Sequence, residues 1–240
     1  RGRCELHFRN LVRQDILGRD TVLPVARELG YGKGAGDTAA VEALMGDYYR
    51  NARQVYRFLR LYVETKTERR GLAERISRRF TSDRVRPHLS LWSGRLYLSA
   101  EPDPATPLAE TILEIFSIAQ ARDARLSETL CDWIRRRLEG LGAEAFQSPE
   151  ALRIFRSILQ GAPGPHGTSG PREARSLEDA KGPQKGRDVG RILKALHSAE
   201  VLGRILPEFA ALTCRVTYDG HHQFTIDEHT LKTLEELDRI

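Results

Sequence analysis

Cysteine is scarce and scattered in this sequence, with Cys4, Cys131 and Cys214 the only three in 240 residues. An odd number at such wide spacing supports neither a disulfide framework nor a CxxC metal knuckle. A reducing cytoplasm suits that usage best. Long hydrophobic runs are also missing. None approaches the roughly 18 residues of a membrane helix, and the first twenty residues are charged throughout, which excludes a signal-peptide core. No membrane partner is therefore expected. An initiator methionine is lacking and the last residues still follow a helical pattern, so the sequence reads as an excised fragment. A phosphate-cradling loop is missing too. Gly30, Gly32, Gly34 and Gly36 cluster, but Lys33 is followed by Gly34 and Ala35 rather than by Ser or Thr, and the preceding segment is helical in pattern. An inter-helix turn is the better reading.

What is present is a series of amphipathic helices. At 40% hydrophobic and 30% charged residues the chain has the composition of a soluble globular protein. Cys4, Phe8, Leu11, Val12 and Ile16 suggest one helix, and Asp20 with Val25, Ala26 and Leu29 a second that ends at Gly30. Asp37 or Thr38 caps the strongest pattern: Val41, Leu44, Met45, Tyr48, Ala52, Val55, Leu59 and Tyr62 recur at steps of three and four. An Arg-rich helix with Leu72, Ile76 and Phe80 inward follows. Leu89 and Leu91, then Leu96 and Leu98, alternate around Ser93-Gly94, which predicts a hairpin pairing Leu91 with Leu96 and Leu89 with Leu98. Leu108 to Ala119, Leu126 to Leu141 and Leu152 to Leu159 give three further helical faces, the last with Ser148 as N-cap and Pro149 at its first position. Its inward side is expected at Leu152, Phe155, Ile158 and Leu159. Val189, Ile192, Leu193 and Leu196 form another face, and Val201, Leu202, Ile205 and Leu206 one more, stopped by Pro207. The fold class is thus mainly α, helical bundles with one small β-hairpin insertion. The expected divisions are a helical domain over 1–160 with the hairpin near 88–99, a flexible Gly/Pro-rich insertion over 161–186, and helices over 187–240. The insertion has too little apolar surface to offset ordering entropy.

The formal charge is +5, carried mostly by arginine. That permits an acidic or phosphate-bearing partner without requiring one. The run Arg135-Arg136-Arg137 reads as a solvated helix face. Separated Arg blocks without interleaved aromatics, and no recognised motif, argue against nucleic acid.

The densest chemistry lies near the C-terminus. His221, His222 and His229 are three of the seven histidines and fall within nine residues. Thr225 and Glu228 are spaced as a capping box, and Leu231 and Leu234 begin an apolar face, so a helix should open at Thr225. His229 then sits in the first turn, where the dipole favours neutral imidazole, the form that ligates metal. A closed metal shell needs three or four ligands. Here one well-placed His is accompanied by two loop neighbours and by Asp219, Asp227 and Glu228. On local chemistry alone, a capped helix after a polar loop is the better-supported reading. His7, His88, His166 and His197 have no ligand partners at useful spacing, and His197 reads as a partly buried or capping residue.

Residues 202–231, LGRILPEFAALTCRVTYDGHHQFTIDEHTL, resemble the lead-in to the HD-type phosphohydrolase domain of bacterial PII-protein uridylyltransferases, which reads approximately LG.yiPEf…YD.yH.YTVDEHTL. Phe224 and the His221-His222 doublet depart from that pattern. Residues 41–64, VEALMGDYYRNARQVYRFLRLYVE, resemble the VE.fM..YYr.A..v helix that follows the nucleotidyltransferase core in the same family, and residues 6–31, LHFRNLVRQDILGRDTVLPVARELGY, the segment before it. The family also carries a small β insertion and a similar helix series. The resemblance implies a bifunctional parent enzyme that transfers UMP from UTP to a PII nitrogen-signalling protein and hydrolyses it off again, with Mg or Mn as cofactor and glutamine as a further partner. It makes His229 the first metal ligand of the HD domain, with His222 and Asp227 as its second shell. The family's later His-Asp pair and last Asp would follow residue 240, and its Gly-Ser and Asp-x-Asp motifs are not present as a set. The resemblance therefore implies a central region without a complete catalytic centre, inactive alone and holding no metal tightly, with no catalytic residues assigned and the nucleotide-binding residues unknown. The alternative is a helical regulatory module that binds an acidic partner through its Arg-rich faces.

Overall fold

The computed structural model describes residues 17–34, 36–70, 82–161, 188–218 and 224–238. The helix expected over 1–17, apart from its last residue, the 71–80 part of the Arg-rich helix expected over 67–80, and the 161–186 insertion beyond its first residue lie outside them. Two compact units are present: one joins the described residues up to Tyr56 to Leu212–His229, the other joins Arg57–Ala211 to the described residues from Thr230.

In the first unit, α1 (Arg19–Glu28) packs on the start of α2 (Asp37–Arg70). Val22, Val25 and Ala26 meet Ala40, Val41 and Leu44, with Leu17, Leu29, Tyr31 and Met45 at the margin. The glycine-rich loop is a turn, as expected. Tyr31 N–H donates to Ala26 O at 2.9 Å and Gly30 N–H to Arg27 O at 3.0 Å, with Gly30 at φ +85°. This is a Schellman closure of α1. Gly32 is required by proximity: a Cβ there would lie 2.4 Å from that of Ala40.

The long helix α2 follows its predicted apolar stripe, but burial along that stripe stops early. Val41 and Leu44 are buried, whereas Tyr48, Val55, Leu59 and Tyr62 are about half exposed. The spacing identifies a helix face correctly; it does not show where covering structure ends. The helix also continues to Arg70, through the place where a new Arg-rich helix was expected to begin.

The second unit has a four-stranded sheet: β1 (Asp83–Arg86), β2 (Leu89–Trp92), β3 (Arg95–Leu98) and β4 (Arg125–Leu126), in that spatial order. The β2–β3 hairpin has the predicted register, Leu89 opposite Leu98 and Leu91 opposite Leu96. Ser93 at φ 48° and Gly94 at φ 71° form its two-residue turn, both in the left-handed region that a type I′ turn needs. β1 adds antiparallel and β4 parallel. β1 was missed because Val85 is its one apolar residue, and β4 because two residues give no alternation to read.

Leu89 and Leu96 of the hairpin join the core that contains α3 (Leu108–Ala121), which is buried on nearly every side. Around it run α4 (Glu128–Leu138), a 3-10 turn (Ala143–Gln147), α5 (Pro149–Leu159), α6 (Val189–Ser198), the single-turn helices α7 (Leu202–Ile205) and α8 (Pro207–Ala210), and α9 (Ile226–Leu237). Ser127 and Ser148 cap α4 and α5, accepting from Leu130 N–H and Ala151 N–H at 3.1 Å each. In α5 the inward side is Ala151, Ile154, Phe155 and Ile158, while Leu152 and Leu159 are exposed. The expected face was thus rotated by one residue: Phe155 and Ile158 suit both registers, and the larger leucines outweighed Ala151. Pro207 stops α7 but also starts α8, as proline at a first helical position can. No helix among the described residues is long and apolar enough to cross a membrane.

Candidate functional site

In the first unit, the residues leading into α9 lie along one face of α2. Glu42, Gly46 and Arg53 are spaced by four and seven residues, so they share that face. Glu42 Oε1 accepts from Tyr218 N–H at 3.1 Å. A Cβ on Gly46 would come within 3.4 Å of Cys214 O, so a small residue suits the approach. Arg53 Nη1 stands 3.8 Å from Asp227 Oδ2. The two stretches that resemble one family are thereby brought together, although they lie at opposite ends of the chain.

Asp227, in the first turn of α9, is 1% exposed. A carboxylate at that depth is costly unless its charge is matched and its lone pairs are used. Its Oδ2 accepts from the N–H of Cys214 at 3.1 Å, and the Arg53 guanidinium supplies positive charge. Cys214 is itself buried and sits at φ 58°, a left-handed conformation that costs a non-glycine residue roughly 1–2 kcal/mol. A second tie joins the same segments, Ile226 N–H to Arg215 O at 2.9 Å.

His229 is exposed on that first turn, and its own N–H donates to Thr225 O at 2.9 Å. Thr225 is buried immediately before the helix, where the sequence placed its start. Two residues separate Asp227 from His229, about 200° around a helix. The carboxylate therefore turns inward while the imidazole faces solvent. Among the described residues no group of three or more His, Cys, Asp or Glu side chains could hold a metal ion. One exposed imidazole is not a cation site, so no chemical step can be derived through a metal here. His222, with His221 and Asp219, lies outside the described residues, as do His7 and His166.

The remaining candidates are structural. His197 is buried, edge-on to Phe209 at 5.4 Å between ring centres. His88 is half-buried in the β1–β2 turn with Nε2 shielded and without a hydrogen bond; burial pushes its pKa down, against a smaller opposing pull from Glu114. The arginine run is largely spent within the chain. Arg135 donates to Ser198 O at 3.3 Å, Arg136 pairs with Asp132 at 2.7 Å, and Arg137 pairs with Glu101 at 2.9 Å while lying over the Trp133 ring. Arg57 donates to the same Ser198 carbonyl and pairs with Glu200, so two guanidinium groups complement the C-terminal dipole of α6. Sequence reasoning missed Arg53, Glu42, Gly46 and Cys214. The only available signal was the common spacing of the first three along a helix already recognised.

Both stretches fall within the similarity to known proteins. Residues 1–63 match the family model described as GlnD PII-uridylyltransferase. The chain is 27% identical over 240 residues to a bifunctional uridylyltransferase/uridylyl-removing enzyme of Phenylobacterium zucineum, covering 97% of this chain and 23% of the relative. Enzymes of the same name from Cereibacter sphaeroides and Azospirillum brasilense are each 27% identical, covering 99% of this chain and 23% of theirs. The chain thus spans about a quarter of the length of the curated relatives it matches. No solved structure matches. Along nearly all of its own length, this chain is similar to bifunctional uridylyltransferase/uridylyl-removing enzymes.

Proposed function

We propose that this chain is the helical region between the two catalytic centres of such an enzyme, following a nucleotidyltransferase core and leading into an HD-type phosphohydrolase domain. In this reading the enzyme acts in the cytoplasm, transfers UMP from UTP to a PII signalling protein, and releases it under glutamine control. His229 is then the first ligand of a Mg or Mn ion whose remaining ligands come from outside this chain. When bound, such an ion activates water for attack on the phosphodiester. What these residues do is narrower: α2 and residues 212–218 hold the first turn of α9 so that the imidazole is presented to solvent while Asp227 is locked inside. The region alone completes neither active site.

The observation that carries this reading is the meeting of Glu42, Gly46 and Arg53 with Tyr218, Cys214 and Asp227. The family-like stretches form one structural unit rather than two chance similarities. The 240-residue chain, incubated with uridylylated PII protein and Mn²⁺, should release no UMP, whereas a full-length enzyme carrying it should. His229→Ala in that enzyme should abolish release and spare transfer. Metal-dependent UMP release by the 240-residue chain would overturn the proposal. An acidic partner held by the Arg-rich faces is less favoured, because Arg135, Arg136 and Arg137 already have partners within the chain.

A further inference from the structure

We infer that Arg53 is a positioning residue for His229, acting through the Asp227 carboxylate. The inference about geometry stands alone; its consequence for UMP release rests on the function proposed above. An aspartate in a first helical turn usually stays at the surface, where it complements the dipole of its own helix. Asp227 does otherwise. It is buried and reaches out of α9 to Cys214 N–H, with Arg53 of α2 beside it.

Three constraints converge on that turn. The Cys214 N–H fixes one carboxylate oxygen. The Ile226 N–H, bonded to Arg215 O, fixes the backbone at the helix start. Arg53 places a positive charge 3.8 Å from the same carboxylate. Successive residues of a helix differ by about 100° in direction, so the azimuth of Asp227 sets that of His229. Removing the guanidinium takes its positive charge away from the buried carboxylate and favours a turn of that carboxylate toward water. Turning would rotate the first turn and swing the imidazole with it. The left-handed Cys214 would then lose the hydrogen bond that offsets its strained backbone. The helix that lies mostly within the family-matched segment is therefore the fixed frame against which the imidazole is aimed.

The test is amide hydrogen exchange, followed by NMR on the 240-residue chain, together with the His229 ring resonances. Arg53→Gln should lower protection of the Cys214 and His229 amides by about 10-fold or more, since removing one partner of a buried charge pair costs a few kcal/mol. It should also broaden or shift the His229 ring signals. The Ile134 amide, in the other unit, should be unchanged. Arg53→Lys, which keeps the charge, should restore protection to within about threefold and return the ring signals. Wild-type protection in Arg53→Gln, or Arg53→Lys as exposed as Arg53→Gln, overturns the inference. The second arm uses a full-length enzyme carrying the chain. If His229→Ala leaves UMP release intact, the proposed function fails and the exchange result stands. If His229→Ala abolishes release but Arg53→Gln alters neither kcat nor the Mn²⁺ concentration for half-maximal rate, the positioning role fails.

Discussion

Gly190 provides a sharp test of how α9 is seated in the second unit. A Cβ built there would lie 2.4 Å from Glu235 N, 2.6 Å from Leu234 C and 2.7 Å from Glu235 Cα. All three are backbone atoms and cannot rotate aside. Carbon contacts settle near 3.5–4.0 Å, so Gly190→Ala must drive α6 and α9 apart by about 1 Å. That separation stretches the 2.6 Å bond from Gly190 N–H to Asp238 Oδ2 and the 2.8 Å pair of Lys194 with Glu235. It also loosens Leu231 and Leu234 in the core. Overpacking costs roughly 1–3 kcal/mol, and lost hydrogen-bond geometry adds about 1 kcal/mol. Against this, alanine is favoured over glycine in a helix by up to about 1 kcal/mol. The balance is a loss of about 2 kcal/mol, or about 4–8 °C in melting temperature. Trp92 and Trp133 are the chain's two tryptophans and both belong to this unit, so urea unfolding followed by tryptophan emission reports on it alone. Gly140→Ala, whose Cβ meets nothing within 4 Å, is the control and should stay within about 0.5 kcal/mol. A Gly190→Ala variant as stable as the wild type, or more so, would refute the seating of α9 on α6.

Three further outcomes are expected. Tyr31 donates to Asp47 at 2.7 Å and Arg50 donates to the same carboxylate; the phenol's hydrogen bond, aided by Arg50, lowers the Asp47 pKa, and the same bond raises that of Tyr31. A lowered carboxyl pKa contributes stability that is present above the unfolded value near 4 and lost as pH falls through the folded value. A raised phenol pKa contributes stability present below about 10 and lost as pH rises through the folded value. Tyr31→Phe should remove the Tyr31 share of the alkaline arm of a stability–pH curve read by circular dichroism and reduce the acid arm, where Arg50 still lowers Asp47. Burial, with Glu128 a lesser cause, pushes the Cys131 thiol up to about 12, so its thiolate fraction at pH 8 is about 10³ lower than that of an ordinary thiol; disulfide-exchange reagents should modify it at that pH far more slowly than in urea. Ser93→Asn should stabilise the second unit by up to about 0.5 kcal/mol in the tryptophan-monitored assay, because asparagine tolerates the left-handed conformation at φ 48° better than serine and suits a type I′ turn.

Most of the fold is legible because periodicity and end signals act locally. Ser148-Pro149 fixed the start of α5, and four alternating leucines around Ser93-Gly94 fixed a register, since each signal needs only its neighbours in sequence. Errors arose where the deciding partner is remote. The stripe from Tyr48 to Tyr62 has the spacing of a core face, yet burial depends on whether another element covers it. The register of α5 turned on Ala151, which carries little hydrophobic weight but is fully buried. Phe146 is fully buried in a 3-10 turn too short to show a period.

The candidate site divides along the same line. His229 was conspicuous because three histidines cluster, and its place in the first turn of α9 followed from the Thr225 boundary. The environment of Asp227 could not follow. In sequence it is one more acidic residue after an N-cap, where the dipole alone would account for it, and Arg53 is one of several arginines between Arg50 and Arg60. Only the fold puts the guanidinium 3.8 Å from the carboxylate and the Cys214 N–H against its oxygen. Because the imidazole lies about 200° around the helix from that carboxylate, a buried charge pair and an exposed imidazole can share one turn without competing. The buried carboxylate can thus fix the direction of the imidazole without lying beside it.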